Sequence, residues 1–116
     1  MGEIIVKVIV SGTKGLKELD LLVDTGATFT KIPSTIAEEI GVECRYETEV
    51  ELSDGSIRKR KLGMAEVQIE GIKRQVPVTV GEEGERPFIG YTALEILGFR
   101  VNPVTGKLER VRPIEY

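Results

Sequence analysis

Short runs of β-branched and other apolar residues, separated by closely spaced turns, occupy most of the chain. They predict strands at residues 3–10, 19–23, 29–32, 47–52, 57–69, 76–80, 99–102 and 107–112. Only two segments, 33–40 and 91–97, have the pattern of short helices, and each is followed by a glycine, a common helix terminator. Many short strands with few helices predict a mainly β fold.

Two of these strands form a predicted hairpin around Ser53-Asp54-Gly55-Ser56, where Asp-Gly is a favoured tight-turn pair. The second strand contains the basic run Arg58–Lys61. Because successive side chains of a strand point to opposite faces, this run places charge on both faces. We therefore expect this end of the hairpin to protrude into solvent, as a flap over a cleft would.

Composition narrows the chemistry that the chain can perform. A length of 116 residues suits one domain, 1–116. The chain contains no histidine and one cysteine, Cys44, which excludes Ser-His-Asp and Cys-His catalysis, histidine zinc sites and Cys-x-x-Cys pairs. We therefore expect no cofactor and no metal, and chemistry based on carboxylates, hydroxyls, lysine or tyrosine.

Charge and hydropathy also limit the partners and the compartment. The net charge of −3 disfavours nucleic-acid binding through bulk electrostatics. No apolar stretch approaches the roughly 20 residues that a membrane span needs, and charged residues interrupt the apolar run at the start of the chain. We expect no nucleic-acid partner, no membrane association and a cytoplasmic location.

The apolar run Leu21–Val23 ends at Asp24, which is followed by Thr25, Gly26 and Ala27. A carboxylate at the end of a buried strand is costly unless it has a partner or a chemical role. One interpretation is an Asx-type turn, in which the carboxylate accepts hydrogen bonds from nearby backbone amides. The other is a catalytic acid, and the residues alone leave both open.

Leu21–Ala27 resembles the catalytic signature of retropepsins, the retroviral-type aspartic proteases. Phe88-Ile89-Gly90, running into the helix 91–97 and Gly98, resembles their second signature, and the predicted hairpin lies between the two in the family's order. The resemblance implies a closed or partly open β-barrel of the acid-protease type, with one or two short helices and a flap hairpin. It implies a single-domain member of the family of a cellular, prokaryotic kind.

Such a protease hydrolyses amides with two carboxylates. One group must deprotonate water while another protonates the carbonyl oxygen, and two close carboxylates that share a proton can do both. Asp24-Thr25-Gly26 occurs only once in the chain. The second carboxylate must therefore come from a second copy, which predicts a homodimeric aspartic endopeptidase acting on peptides or unfolded proteins.

The resemblance also implies roles for neighbouring residues. Thr25 would hydrogen-bond across the dimer, Gly26 would allow close backbone approach, and the hairpin tip would cover an extended peptide. The predicted substrate-binding residues are Ala27, Thr28, Leu52, Ser53, Asp54, Gly55, Ile57 and Ile89. Leu52, Ile57 and Ile89 are equally consistent with a place in the core.

The chain departs from the family at three places. Retropepsins usually carry two acidic residues where Thr28 and Phe29 stand, and an arginine where Tyr91 stands. Their termini are also short, whereas this chain continues through a closing hairpin. Substrate preference and the mode of dimerisation therefore do not transfer.

Two other functions remain possible on the sequence. A catalytically silent dimer of the same fold would bind extended peptides or act as a scaffold, although an intact Asp-Thr-Gly speaks against it. The run Arg58–Lys61 could also form a basic groove for nucleic acid or for an acidic substrate. Nucleic-acid binding there would show steep salt dependence and is the weakest alternative.

Overall fold

The computed structural model describes residues 3–116 of the chain. This part contains nine strands and two seven-residue helices. Met1 and Gly2 of the predicted domain lie outside the described residues. The strands are β1 Ile5–Ser11, β2 Leu16–Asp24, β3 Thr30–Pro33, β4 Cys44–Glu51, β5 Ile57–Ile69, β6 Ile72–Gly81, β7 Phe88–Gly90, β8 Phe99–Asn102 and β9 Lys107–Arg110. The helices are α1 Ser34–Ile40 and α2 Tyr91–Leu97.

The main sheet closes on itself. Its order is β1-β2-β7-β3-β6-β5-β4, and β1 also pairs with β5, so that six strands form a barrel with β4 added outside β5. The strands β8 and β9 form a separate antiparallel pair. The predicted mainly β barrel with two short helices is confirmed.

The barrel interior is filled by one face of each strand. Val8 and Val10 of β1 are fully buried, whereas Lys7 between β-branched neighbours is exposed, as strand alternation requires. The apolar faces of both helices pack on the same core, which contains Ala37 and Ile40 of α1 and Ala93, Leu94 and Leu97 of α2.

Each helix ends where the sequence predicts. Gly41 and Gly98 follow α1 and α2 with φ of +76° and +82°, a left-handed conformation that side chains with a Cβ rarely adopt. The Gly98 amide donates to the carbonyl of Leu94 at 2.9 Å, which satisfies one of the free carbonyls at the helix end. No helix among residues 3–116 is long and apolar enough to cross a membrane.

The basic run on β5 does not lie in solvent on both faces, and this part of the prediction is wrong. Arg60 is only 3% exposed, whereas Arg58, Lys59 and Lys61 are exposed. Arg60 Nη2 lies 2.5 Å from Glu85 Oε2, an ion pair that compensates for removing the guanidinium from water. Glu85 belongs to the loop after β6, so this pairing depends on a contact between segments distant in the sequence.

Candidate active site

Asp24 is the last residue of β2, and it lies beside Gly90. Strands β2 and β7 pair in parallel with Leu22, Val23 and Asp24 aligned to Phe88, Ile89 and Gly90, respectively. This pairing brings the two sequence signatures together at one end of the barrel. Asp24 is half-buried there, while Thr25 and Gly26 are exposed.

The loop after Asp24 packs directly against Gly90. A Cβ on Gly90 would lie 2.4 Å from the carbonyl oxygen of Phe29, closer than such atoms can approach, so only glycine fits this position. The first residues of α2 then anchor the loop, because the Tyr91 amide donates to the Ala27 carbonyl at 2.7 Å. The Thr92 amide donates to the Thr28 carbonyl at 3.2 Å.

A buried hydroxyl completes this contact. The Gly90 amide donates to Thr30 Oγ1 at 3.1 Å, and Thr30 is fully buried. The sequence interpretation did not assign Thr30 a role. The available signal was its place two residues before Ile32, on the same face of the strand, where a buried hydroxyl needs a hydrogen-bonding partner.

The carboxylate of Asp24 also organises its own loop. Asp24 Oδ1 accepts a hydrogen bond from the Gly26 amide at 3.1 Å, and the Asp24 carbonyl accepts one from the Ala27 amide at 3.2 Å. These contacts form the Asx-type turn considered above. They use one carboxylate oxygen, while Oδ2 has no hydrogen bond to any residue of 3–116, so the turn does not exclude a chemical role.

Gly26 is not required by the conformation of a single chain. Its φ lies outside the left-handed region, and a Cβ there would meet only Asp24 Oδ1, at an ordinary contact distance of 3.4 Å. A need for glycine at this exposed position must therefore come from whatever faces the loop from outside the chain.

A cleft of about 850 Å³ runs between the Asp24 loop and the β4–β5 hairpin. Of the predicted site residues, it brings together Asp24, Gly26, Ala27, Thr28, Leu52 and Ser53. The cleft is also lined by residues outside the predicted site list, namely Phe29, Lys31, Glu49, Val50, Glu51, Arg60, Thr79 and Phe88.

The other predicted site residues lie elsewhere. Thr25 is exposed and does not line the cleft, and Asp54, Gly55 and Ile57 are exposed at the end of the hairpin. Ile89 is fully buried in the barrel core. Its neighbours on β7, Phe88 and Gly90, are the residues that border the cleft and the Asp24 loop.

The tip of the hairpin is a compact hydrogen-bonded turn. Asp54 Oδ1 accepts hydrogen bonds from the hydroxyl of Ser56 at 2.6 Å and from its amide at 2.9 Å. These bonds favour the ionised form and hold the pKa of Asp54 below its ordinary value. The Gly55 amide donates to the Leu52 carbonyl at 2.9 Å, which ties the tip to the cleft-lining residue Leu52.

One wall of the cleft carries two cations. Lys31 Nζ lies 4.8 Å from the centroid of the Phe88 ring, within the range of a cation–π contact. Glu85 accepts hydrogen bonds from Arg60 and from the Glu82 amide. Burial acts to raise the pKa of Glu85, but these hydrogen bonds and the Lys31 and Arg60 charges outweigh it, so the pKa is lowered.

No cluster of three metal-binding side chains occurs within residues 3–116.

Comparison with known proteins agrees with this geometry. A sequence model of the family described as "gag-polyprotein putative aspartyl protease" matches residues 8–96, which include Asp24, the hairpin and Gly90. The chain belongs to this family. The predicted retropepsin-like relationship is thereby confirmed.

Among solved structures, the fold is similar to that of the EIAV protease in complex with the inhibitor HBY-793. The TM-score is 0.66 at 18% sequence identity, and the match covers 84% of this chain and 89% of the EIAV chain. At this identity the likeness shows a shared fold. No curated protein matches the chain.

Proposed function

We propose that the protein is an aspartic endopeptidase that acts as a homodimer, in which two Asp24 carboxylates activate a water molecule. The family and the fold are those of proteases. The observation that carries the proposal is the position of Asp24, which stands half-buried at the floor of a cleft with one carboxylate oxygen free of hydrogen bonds to residues 3–116.

The reaction would need both carboxylates of the dimer. One, ionised, would take a proton from the water, while the other, protonated, would donate to the carbonyl oxygen of the scissile amide. Repulsion between close like charges favours a pair that keeps one proton between them. Thr25 would hold the two loops together across the two-fold axis, and Gly26 would leave room for that approach.

The exposed side of the Asp24 loop supports the dimer. Thr25 and Gly26 face outward, and Gly26 has no conformational reason within one chain to be glycine. Next to the loop, Tyr91 is half-exposed, and its hydroxyl hydrogen-bonds to the carboxylate of Glu95. This bond and the Glu95 charge raise the pKa of Tyr91, so the tyrosine would enter an interface as a neutral group.

The β4–β5 hairpin would act as the flap. Leu52 and Ser53 already line the cleft opposite Asp24, and the hairpin ends in a hydrogen-bonded turn. A peptide bound in extended form between hairpin and loop would gain backbone hydrogen bonds from both sides. Asp54, Gly55 and Ile57 would reach such a peptide only if the tip closes over it.

The test is cleavage of denatured casein by the purified protein between pH 3 and 7, compared with Asp24→Asn and Asp20→Asn. Both variants remove one carboxylate from β2, but Asp20 is exposed and remote from the cleft, so it controls for the loss of charge. We expect Asp24→Asn to retain the fold and lose cleavage by at least about 10³-fold, and Asp20→Asn to remain active. Equal cleavage by wild type and Asp24→Asn would overturn the mechanism.

The silent peptide-binding dimer predicts a different outcome. It would retain unfolded peptides with the same affinity in wild type and in Asp24→Asn, and would release no products at any pH. Sedimentation of both proteins in parallel determines whether the dimer forms without substrate.

A further inference from the structure

The wall of the cleft next to the Asp24 loop carries a row of three aligned residues, one on each of three strands. Phe88 of β7 aligns with Lys31 of β3, and Lys31 aligns with Thr79 of β6. Residues aligned in this way point to the same face of a sheet. The alternate residues of these strands, Ile32, Val78 and Ile89, are fully buried on the other face.

Arg60 extends the row onto the next strand. Leu62 of β5 aligns with Thr79, and Arg60 stands two residues earlier, on the same face of the strand as Leu62. Lys31, Arg60 and Thr79 all line the cleft that contains Asp24. We call these three residues the cationic wall.

The hydrogen-bonding capacity of Arg60 is not fully used. Nη2 donates to Glu85, but Nη1 is buried and has no hydrogen-bonding partner among residues 3–116. Oε1 of Glu82 lies 3.5 Å from Nη1, on a side chain that is 71% exposed. A buried donor without a partner is costly, which points to an acceptor supplied from outside the chain.

The charge of the wall is also incompletely balanced. Glu85 neutralises one of the two cations, and Lys31 forms no ion pair with any residue of 3–116. Most of the Glu82 charge faces solvent, where it is screened. A free guanidinium donor beside a lysine without an ion pair favours a carboxylate over an amide, because charge-assisted hydrogen bonds are the stronger ones.

We propose that the cationic wall is a specificity subsite that binds an aspartate or glutamate side chain of the peptide substrate. The carboxylate would accept hydrogen bonds from Arg60 Nη1 and from Lys31 Nζ. The inference rests on the proposed protease function, because the subsite lies in the same cleft as Asp24.

The preference is confined to one substrate position. Glu49 and Glu51 of β4, the strand paired with β5, also line the cleft, and they are exposed carboxylates that disfavour acidic side chains near them. An acidic residue is therefore favoured only where the extended peptide passes the cationic wall, and not throughout its length.

The experiment is cleavage of a synthetic random decapeptide library, with product ends sequenced by mass spectrometry. We expect glutamate to exceed glutamine by about tenfold at one fixed position relative to the cleaved bond, because the two differ mainly in charge. Lys31→Met keeps the aliphatic stem over Phe88 and removes the charge, and it should abolish most of this preference. Lys59→Met removes a charge from the exposed face of β5 and should leave it intact.

Equal frequencies of glutamate and glutamine at every position in wild type would overturn the subsite, and so would a preference that survives Lys31→Met. A binding experiment distinguishes failure of the proposed function from failure of the subsite. It measures which peptides of the same library are retained on immobilised Asp24→Asn. If wild type cleaves nothing, the protease proposal fails. Enrichment of acidic peptides on Asp24→Asn and its loss on Asp24→Asn/Lys31→Met would still support the subsite, and equal retention would overturn it.

Discussion

The Gly90 amide and the Thr30 hydroxyl form a buried hydrogen bond of 3.1 Å that joins β7 to β3. This bond lies directly beneath the Asp24 loop, because Gly90 aligns with Asp24 on the other side of β7. The position of the Asp24 carboxylate thus depends on a polar contact inside the barrel as well as on the loop itself.

Thr30→Val replaces the hydroxyl with a methyl group of similar size. The Gly90 amide then has no acceptor in a site that water does not reach, so we expect a loss of about 1–3 kcal/mol in the free energy of unfolding. Urea denaturation at neutral pH measures the loss. Thr30→Ser retains the hydroxyl and should recover most of the stability, and a Val variant as stable as wild type would show that the bond contributes nothing.

Gly90→Ala tests the close approach of the loop to β7. The added Cβ would lie 2.4 and 2.6 Å from the backbone carbonyl atoms of Phe29, so the loop must shift to accommodate it. We expect destabilisation of about 1–3 kcal/mol and a larger relative loss of cleavage, because a small displacement of Asp24 disrupts the catalytic geometry. Thermal unfolding and casein cleavage are measured together.

Gly15→Ala is the matched control for that substitution. A Cβ at Gly15 has no atom within 4 Å, and its φ is not left-handed. Its stability should lie within about 0.5 kcal/mol of wild type. A Gly90→Ala protein that behaves like Gly15→Ala would contradict the packing argument.

The sequence predicts the local structure of this molecule well. Alternating apolar residues locate the strands, and Gly41 and Gly98 mark the helix ends, because these signals are contained within a few neighbouring residues. Strand β2 begins at Leu16, three residues before the predicted start, because β1 provides a pairing partner back to Ser11. The pattern of neighbouring residues in one strand does not indicate how far its partner strand extends.

The site was only partly predictable for the same reason. Asp24 and Ala27 of the first signature and Ser53 of the predicted hairpin line one cleft. The burial of Arg60 depends on Glu85, which is 25 residues away in the sequence, and nothing in the run Arg58–Lys61 distinguishes the buried member. Likewise, Ile89 belongs to a signature next to the site, but the strand alternation of β7 turns its side chain into the core.

The Arg60–Glu85 ion pair predicts a specific pH dependence of stability. The pKa of Glu85 is lowered in the folded protein, so its ionised form stabilises the fold. This contribution is fully present above the ordinary pKa of 4.5 and is lost as the pH falls through the lowered folded value. We expect Glu85→Gln to cost about 1–3 kcal/mol at pH 6, because it leaves the buried Arg60 guanidinium without its carboxylate, and less at pH 3.

The measurement is the urea midpoint of both proteins across that pH range. Glu83→Gln removes an exposed carboxylate from the same loop and should give a pH profile parallel to that of wild type. If the Glu85→Gln and wild-type midpoints differ by the same amount at pH 3 and pH 6, the ion pair does not account for the acid dependence.

The proposed mechanism needs two Asp24 carboxylates and each chain supplies one, so it predicts that a subunit has no activity alone. When wild type is co-refolded with an equal amount of Asp24→Asn, random pairing leaves about one quarter of the dimers with two aspartates. Activity should then fall to about half of what the same amount of wild type shows alone, because half of the wild-type chains pair with an inactive partner. Co-refolding with Asp20→Asn, which retains Asp24, should cause no loss. An active site complete within one chain would instead leave the activity of the wild-type chains unchanged in both mixtures.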